Sequence, residues 1–507
     1  MTQWITRPGW PGHALAMLMG ALTPLALAPY DIWPLAVLSI AALYFGLREL
    51  TPKQAACRGW AYGFGMFAAG TSWVYVSIHD YGAASPLLAG LLTLGFVAGL
   101  GLLLALLGAL WARWIRRNEA PLADGLAFAA VWVAVEMFRG WVLTGFPWLY
   151  AGYSQLSGPL AGLAPIGGVW LISFVLALSA ALIVNLNKLR PHRTRYLTAI
   201  ALLVMPWAAS LALMDHPWTA TKSEPLTVAA IQGNIEQSLK WDPAQLNAQL
   251  ALYRDLSFSS KRADILVWPE TAIPVLRDRA DGYINLMQRF ARDRNSALIT
   301  GVPVRETDDT GRPRYYNAIT SLGEGQGTYF KQKLVPFGEY VPLQDLLRGV
   351  IAFFDLPMSD FAPGHSGQPL LMAKDYKIAP FICYEVVYPD FAASMAADSD
   401  LLLTVSNDAW FGTSIGPLQH LQMAQMRALE AGRWMIRATN NGVTVLIDPF
   451  GRVTQAVPQF TQAVLYGEVY AMDGLTPYLR WRSWPLLALM AIILGWALLA
   501  GRLGRTL

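Results

Sequence analysis

A series of long apolar runs, dense before residue 214 and returning once near the C-terminus, restricts this chain more than any other feature. A helix that crosses a bilayer needs about 20 mainly apolar residues. Eight stretches qualify: 10–29, 33–47, 60–78, 85–112, 122–142, 162–184, 196–213 and 484–501. The second is short, and the fourth is long enough to tilt or to carry an interfacial turn. No small-residue cleavage site follows the first run, which argues against a cleaved leader. Only 14% of the residues are charged, against about 25% in ordinary globular proteins. A net charge of +4 with no lysine/arginine block gives no footing to nucleic-acid binding.

Lysine and arginine placement orients the spans, because cytoplasmic loops carry the excess of both. With Arg7 inside, the inside loops hold Arg48, Lys53 and Arg58, then Arg113, Arg116 and Arg117, then Lys188, Arg190, Arg193 and Arg195. Arg502 and Arg505 follow the last span, and the opposite loops 79–84 and 143–161 hold neither residue type. Both termini are therefore expected in the cytoplasm. The expected organisation is a membrane domain over 1–214 with seven spans, a soluble domain over 215–482 on the far side, and an eighth span with a short tail over 483–507. Glu136 and Arg139 lie in the fifth span, where an ionisable residue marks function by default. The plainer expectation is an arginine that snorkels to the interface while pairing with the glutamate.

From Pro225 the pattern changes to short β-rich runs separated by amphipathic helices. Strands are expected at Leu226–Ile231, Ile265–Trp268, Ala297–Val304, Asn317–Leu322, Lys377–Ile382, Leu401–Val405, Gly442–Ile447 and Leu465–Val469. Helices are expected at Pro243–Ser259, Asp281–Arg294, Pro389–Ala397 and Pro417–Gly432. Such alternation predicts a layered α/β domain.

Three groups stand just past apolar runs in this part of the chain, where function concentrates in α/β folds. Cys383 ends the run Ile378–Ile382, Glu270 follows Ile265–Pro269, and Lys331 follows Thr328–Phe330. The chain's other cysteine, Cys57, falls on the opposite side of the expected membrane, which leaves Cys383 without a disulfide partner. A free thiol is only a few per cent thiolate at neutral pH. A carboxylate in reach can take its proton, and an ammonium can stabilise the thiolate and then an oxyanion. The trio therefore makes a complete acyl-transfer site with no metal or cofactor, although each residue alone would pass for a buried thiol or a surface ion pair.

The motifs Trp268-Pro269-Glu270, Lys331 with Leu334-Val335-Pro336-Phe337-Gly338-Glu339, and Cys383-Tyr384-Glu385 resemble the ordered Glu–Lys–Cys motifs of the nitrilase (carbon–nitrogen hydrolase) superfamily. Set between seven spans and one, with Asn234–Trp241 upstream, they resemble its membrane-embedded apolipoprotein N-acyltransferases over essentially the whole chain. The resemblance implies a multi-pass α-helical membrane domain plus an α/β nitrilase-like αββα sandwich on the periplasmic side of a bacterial inner membrane. It implies acyl transfer from a phospholipid, through a Cys383 thioester, to the N-terminal diacylglyceryl-cysteine of a lipoprotein. It makes Glu270 the general base, Lys331 the oxyanion-stabilising lysine, Glu339 and Glu385 supporting acids, and Tyr384 a main-chain oxyanion donor. Trp241 matches a tryptophan near the active site. Lys333 falls where nitrilases often have histidine, and the spacing to Phe337-Gly338-Glu339 selects Lys331.

The apolar stretch 346–356, with Phe353 and Phe354, is expected to be a lid that admits lipid chains, or else a helix packed on the core. Asn407–Phe411, with Trp410, is expected to wall the pocket. Gly412-Thr413-Ser414-Ile415-Gly416 matches the G-x-S-x-G elbow, but His420 follows it with no acid between, so a loop is expected. Asn440-Asn441-Gly442 is expected as a turn. The six histidines show no metal-ligand spacing. Two alternatives stay open: a membrane-tethered nitrilase-type amidase that passes its thioester to water, and a lipid-binding or transport protein carrying a degenerate catalytic domain.

Overall fold

The computed structural model describes residues 6–82, 84–117, 119–336, 338–340 and 361–503, with side chains through residue 499. The chain divides into two compact units. One comprises the residues up to Tyr75, Ser85–His216 and those from Trp481 onward; the other comprises Val76–Ala84 and Pro217–Arg480.

The first unit is helical: α1 (Trp10–Leu22), α2 (Pro34–Gly46), α3 (Pro52–Gly70), α4 (Pro86–Leu110), α5 (Pro121–Arg139), α6 (Ala164–Leu189), α7 (Arg193–Leu213) and a C-terminal helix Trp484–Leu503. Among the described residues, four helical stretches are long and apolar enough to cross a membrane: Pro86–Ile115, Pro121–Arg139, Ala161–Leu189 and Arg193–Leu213. Pro34–Gly46 and Trp484–Leu499 are apolar but shorter. Helix α3 begins at Pro52, well ahead of the apolar run expected from residue 60. Thr51 and Gln54 close a capping box at its start. Arg58, expected in a loop, is instead buried inside this helix and donates to the carbonyls of Gly46 (3.0 Å) and Arg7 (2.9 Å). The helices approach through small residues, the usual contact in membranes. A Cβ on Gly20 would run into the Tyr62 carbonyl, and one on Gly59 into the Leu104 carbonyl.

Arg139 does not snorkel. It is buried, with its guanidinium 5.1 Å from the Phe67 ring centre and 4.9 Å from that of Tyr150. Glu136 accepts from Trp132 Nε1 (3.1 Å) and from the Ala151 N–H (2.8 Å).

The second unit packs two sheets face to face between helices. The strands of these two sheets are β1 (Leu226–Gln232), β2 (Ile265–Val267), β3 (Ala297–Thr307), β4 (Pro313–Gly323), β5 (Gly325–Gln326), β6 (Thr328–Phe330), β7 (Leu371–Ala373), β8 (Tyr376–Ile382), β9 (Leu401–Ser406), β10 (Met435–Thr439), β11 (Thr444–Ile447), β12 (Val453–Val457) and β13 (Ala463–Val469). One sheet has the order β13-β1-β2-β3-β4-β6 and the other β12-β11-β10-β9-β8-β7-β5. Strand alternation sorts the side chains. Val228 and Ala230 of β1 join Ile378, Leu403 and Ile436 in the layer between the sheets. Ala229 and Ile231 face outward, in the cluster with Tyr253 of α8 (Leu246–Ser259) and Met287 of α9 (Asp281–Asp293). Helices α10 (Pro389–Ala396) and α11 (Gly416–Ala431) complete the α/β sandwich.

The parallel runs β1–β2–β3 and β8–β9–β10 form the centre of each sheet. Their carboxyl ends lead into the Gly233–Trp241, Glu270, Cys383 and Asn407 segments. The helices expected at 243–259, 281–294, 389–397 and 417–432 and the eight expected strands all form, with ends moved by a few residues. Strand β10, at the centre of its sheet, lay outside the expected set.

Candidate active site

Strand β8 brings Cys383 to the site. Ile378 to Ile382 are buried, and the chain then breaks into a 3-10 turn over Cys383–Val387. Cys383 itself takes φ +51°. A non-glycine residue held there costs about 1–3 kcal/mol, so something must hold it. Glu385 does part of this. Fully buried, its Oε2 accepts from the Ile382 N–H (2.8 Å), while its Oε1 accepts from Gln332 N–H (2.6 Å), Lys333 N–H (3.1 Å) and Tyr329 Oη (2.8 Å). One carboxylate thereby ties the Cys383 turn to the segment that carries Lys331. Burial pushes its pKa up to about 7 against the pull of these donors.

Lys331 is 1% exposed and faces two carboxylates. Its Nζ donates to Glu339 Oε1 at 2.9 Å and lies 3.4 Å from Glu270 Oε1. Burial works against the ammonium, but Glu339 and Glu270 outweigh it and raise its pKa above the ordinary lysine value. Asn317 Nδ2 bridges the same pair, donating to Glu270 Oε1 (2.8 Å) and Glu339 Oε1 (2.9 Å). Glu270 Oε2 accepts the Asn407 N–H (2.9 Å), and Glu339 Oε2 that of Val335 (2.9 Å). On the main-chain side of Glu270, Lys240 Nζ donates to its carbonyl oxygen at 3.0 Å.

Cys383 is a partly buried free thiol. Burial and then the Glu270 carboxylate push its pKa up, while Lys331 and Ser406 pull it down. Of the three expected groups, Lys331 and Glu270 are in direct contact, and both act electrostatically on the Cys383 sulfur. Behind it, the Cys383 sulfur, an Asp408 oxygen and a His420 nitrogen lie within 4.8 Å of one another, a grouping that the scatter of histidines along the chain concealed. Asp408 Oδ2 accepts from Arg437 Nη2 (2.7 Å) and Oδ1 from Ser406 Oγ (2.5 Å). Arg437 Nη2 is also 3.1 Å from His420 Nδ1, so a guanidinium supplies the positive charge this carboxylate faces. Burial opposes the Asp408 carboxylate, but Arg437 and His420 hold its pKa below the usual range.

The remaining expected residues divide. Tyr384 is buried at the start of the nucleophile turn, its ring 5.4 Å from that of Tyr388. Lys333 points elsewhere, over the rings of Tyr388 (5.6 Å) and Phe391 (5.8 Å). Trp241 follows Lys240, its indole N–H buried and without an acceptor among the described residues. Trp410 stacks edge-on with Tyr81 at 6.0 Å, and its carbonyl accepts from Ser77 Oγ at 2.8 Å. The segment Val76–Ala84, expected as the end of the third span and the loop 79–84, thus belongs to the second unit. Phe353 and Phe354 lie outside the described residues. Ser414 is no nucleophile elbow: its Oγ accepts the Gly416 N–H, and His420 turns to Asp408 and Cys383.

Sequence reasoning missed Lys240, Asn317, Arg437 and His420. An asparagine opening an expected strand was the visible trace of Asn317, and Lys240 left none.

Residues 19–182 match the family profile described as the apolipoprotein N-acyltransferase N-terminal domain, and residues 227–473 match that of carbon–nitrogen hydrolase. The chain is 71% identical to an apolipoprotein N-acyltransferase of Pseudomonas putida over 504 residues, covering 99% of this chain and 100% of that one. It is 68% identical to the enzyme so named from Pseudomonas syringae pv. tomato (99% and 100% covered) and 41% identical to that from Vibrio parahaemolyticus (95% and 96%). Among solved structures, an amidase from Nesterenkonia sp. is similar over 53% of this chain and 97% of its own, at 18% identity and a TM-score of 0.37.

Proposed function

Because the chain belongs to the apolipoprotein N-acyltransferase family, we propose that Cys383, Glu270 and Lys331 carry its acyl transfer. The protein is an acyltransferase of the carbon–nitrogen hydrolase fold, and its acceptor is a lipoprotein. The observation that supports these roles is the geometry of Glu270. Lys331 and Asn317 hold one carboxylate oxygen and the Asn407 N–H holds the other, within the field of the Cys383 sulfur.

The donor in this reading is a phospholipid. Glu270 takes the Cys383 proton as the sulfur attacks the donor's ester carbonyl. The Lys331 ammonium and the Tyr384 main-chain N–H stabilise the oxyanion. Collapse breaks the ester C–O bond, Glu270 returns the proton to the departing alkoxide, and lysophospholipid leaves a Cys383 thioester. The α-amine of the lipoprotein's diacylglyceryl-cysteine then attacks, Glu270 accepts its proton, and the new amide departs as the thiol reforms. Such a two-step exchange follows ping-pong kinetics.

The wider assignment is a multi-pass inner-membrane protein with eight spans. Both termini are cytoplasmic and the 215–482 domain is periplasmic. The four long apolar helices and the asymmetric placement of lysine and arginine support it.

Intact-mass analysis after exposure to phospholipid tests the chemistry. One acyl chain should add to the wild type and none to Cys383→Ala. Acyl transfer to a diacylated lipopeptide by Cys383→Ala would overturn the assignment, and free fatty acid without acylated peptide would indicate an amidase.

A further inference from the structure

Lys240 is a second buried ammonium beside Glu270. It sits in the turn after β1, 5% exposed, and its Nζ donates to the Glu270 carbonyl at 3.0 Å. That is its single side-chain hydrogen bond among the described residues, although an ammonium carries three donors. Lysine is almost never so buried without a charge to face. The charges acting on this one are Glu270 and the Cys383 sulfur. On its own segment Glu236 is exposed and Asp242 caps the Ala244 N–H. Lys331 and Glu339 stand across Glu270, and Asp408 stands across Cys383.

Lys331 is one cation between two carboxylates whose oxygens share a single Asn317 nitrogen. Carboxylates so close repel each other, and one ammonium between them leaves a negative charge uncompensated. We propose that Lys240 is a positioning residue for the acyl transfer: its ammonium is the second cation of the site, fixing the Glu270 main chain and keeping its carboxylate free to accept the Cys383 proton. This rests on the roles given above to Cys383 and Glu270. Burial pushes the Lys240 pKa down to about 8 while Glu270 and Cys383 act against the fall, so the charge is lost in mildly alkaline solution.

The test is the rate of Cys383 alkylation by iodoacetamide in the full-length protein in detergent, read by peptide mass because Cys57 is also free. Rates are followed from acid to alkaline pH. In Lys240→Met the acid limb should move up by about one pH unit, slowing the reaction about tenfold on that limb. Lys240→Arg, whose charge persists, should keep the wild-type acid limb and lose the change in rate near pH 8. An acid limb in Lys240→Met that coincides with the wild type overturns the proposal, because a merely structural lysine would not move it. Should that variant fail to fold, a rate change near pH 8 that persists in Lys240→Arg overturns it equally. The catalytic assignment fails separately, if the wild type takes no acyl group from phospholipid.

Discussion

The Nε2 of His420 lies 3.1 Å from the main-chain oxygen of Cys383, joining helix α11 to the turn that carries Cys383. The other ring nitrogen, Nδ1, lies 3.1 Å from both Asp408 Oδ1 and Arg437 Nη2, so the ring is held from two sides. Burial and then Arg437 lower the His420 pKa, while Asp408 acts against the fall. The bond helps to hold Cys383 at φ +51°. His420→Ala would leave that carbonyl unmet and open space beside the Asp408–Arg437 pair, at about 1–3 kcal/mol. Adduct formation on Cys383 should slow about tenfold or more, as a fall in kcat with KM little changed. Equal loss in both would point to a substrate contact instead. Because the folded pKa is lowered, this histidine stabilises the protein above the ordinary value of 6.5, and that stability drains away as pH falls below it.

Lys331 offers a sharper test of the buried charge cluster. Breaking a buried ion pair by removing one partner costs about 3–5 kcal/mol, more than the intact pair contributes. Lys331→Met leaves Glu270 and Glu339 facing each other around Asn317, so both stability and activity should collapse. Adding Glu339→Gln removes one uncompensated charge, and the double variant should regain melting temperature without regaining acyl transfer. Failure of the second substitution to restore any stability would show that packing, not charge, dominates at Lys331.

Glu385 gives the site a pH signature of its own. Its folded pKa of about 7 stands above the ordinary 4.5. Between those values the folded protein holds a proton that the unfolded chain has lost, so stability falls as pH rises through this window and levels off above it. The cost is roughly 3 kcal/mol in full. Glu385→Gln cannot ionise and should lack this slope. It should also be less active, since an amide nitrogen would meet one of the N–H donors now facing a carboxylate oxygen. Melting temperatures of the two proteins in detergent from acid to neutral pH should converge as pH rises.

Glu270, Lys331 and Cys383 were legible because each ends an apolar run, and a strand's carboxyl end needs no long-range information to find. Asn317 was not. It lies inside β4, opposite Pro303, and only the sheet register aims it at two carboxylates. Strand β10 hid because Arg437 interrupts its apolar pattern, and that arginine is tolerated only where Asp408 receives it. The same logic displaced the start of α3. Hydropathy counts Arg58 as a loop residue, whereas two carbonyls satisfy its guanidinium inside the unit. Local pattern finds apolar elements well and loses charged residues whose partners come from elsewhere in the chain.

Gly301 tests how tightly the Glu270 loop is placed. This residue of β3 accepts the Ile273 N–H at 3.2 Å through its carbonyl, which draws the 270–273 segment against the strand. A Cβ there would run into the Thr271 N–H and come within 2.9 Å of both Glu270 Cα and the Pro269 carbonyl. These are main-chain atoms, which cannot rotate away, so Gly301→Ala must push the loop itself. Overpacking of this kind costs about 1–3 kcal/mol, and a 1 Å misplacement of a catalytic group costs about a hundredfold in rate. Gly282→Ala is the matched control, since a Cβ at that position of α9 meets nothing within 4 Å. The control should keep full activity and gain a little stability, because alanine is the better helix former by about 1 kcal/mol. Gly301→Ala should still fold but form the Cys383 adduct far more slowly. Near-normal adduct formation in that variant would mean that Asn317 and the Asn407 N–H hold the Glu270 carboxylate in position while its main chain moves.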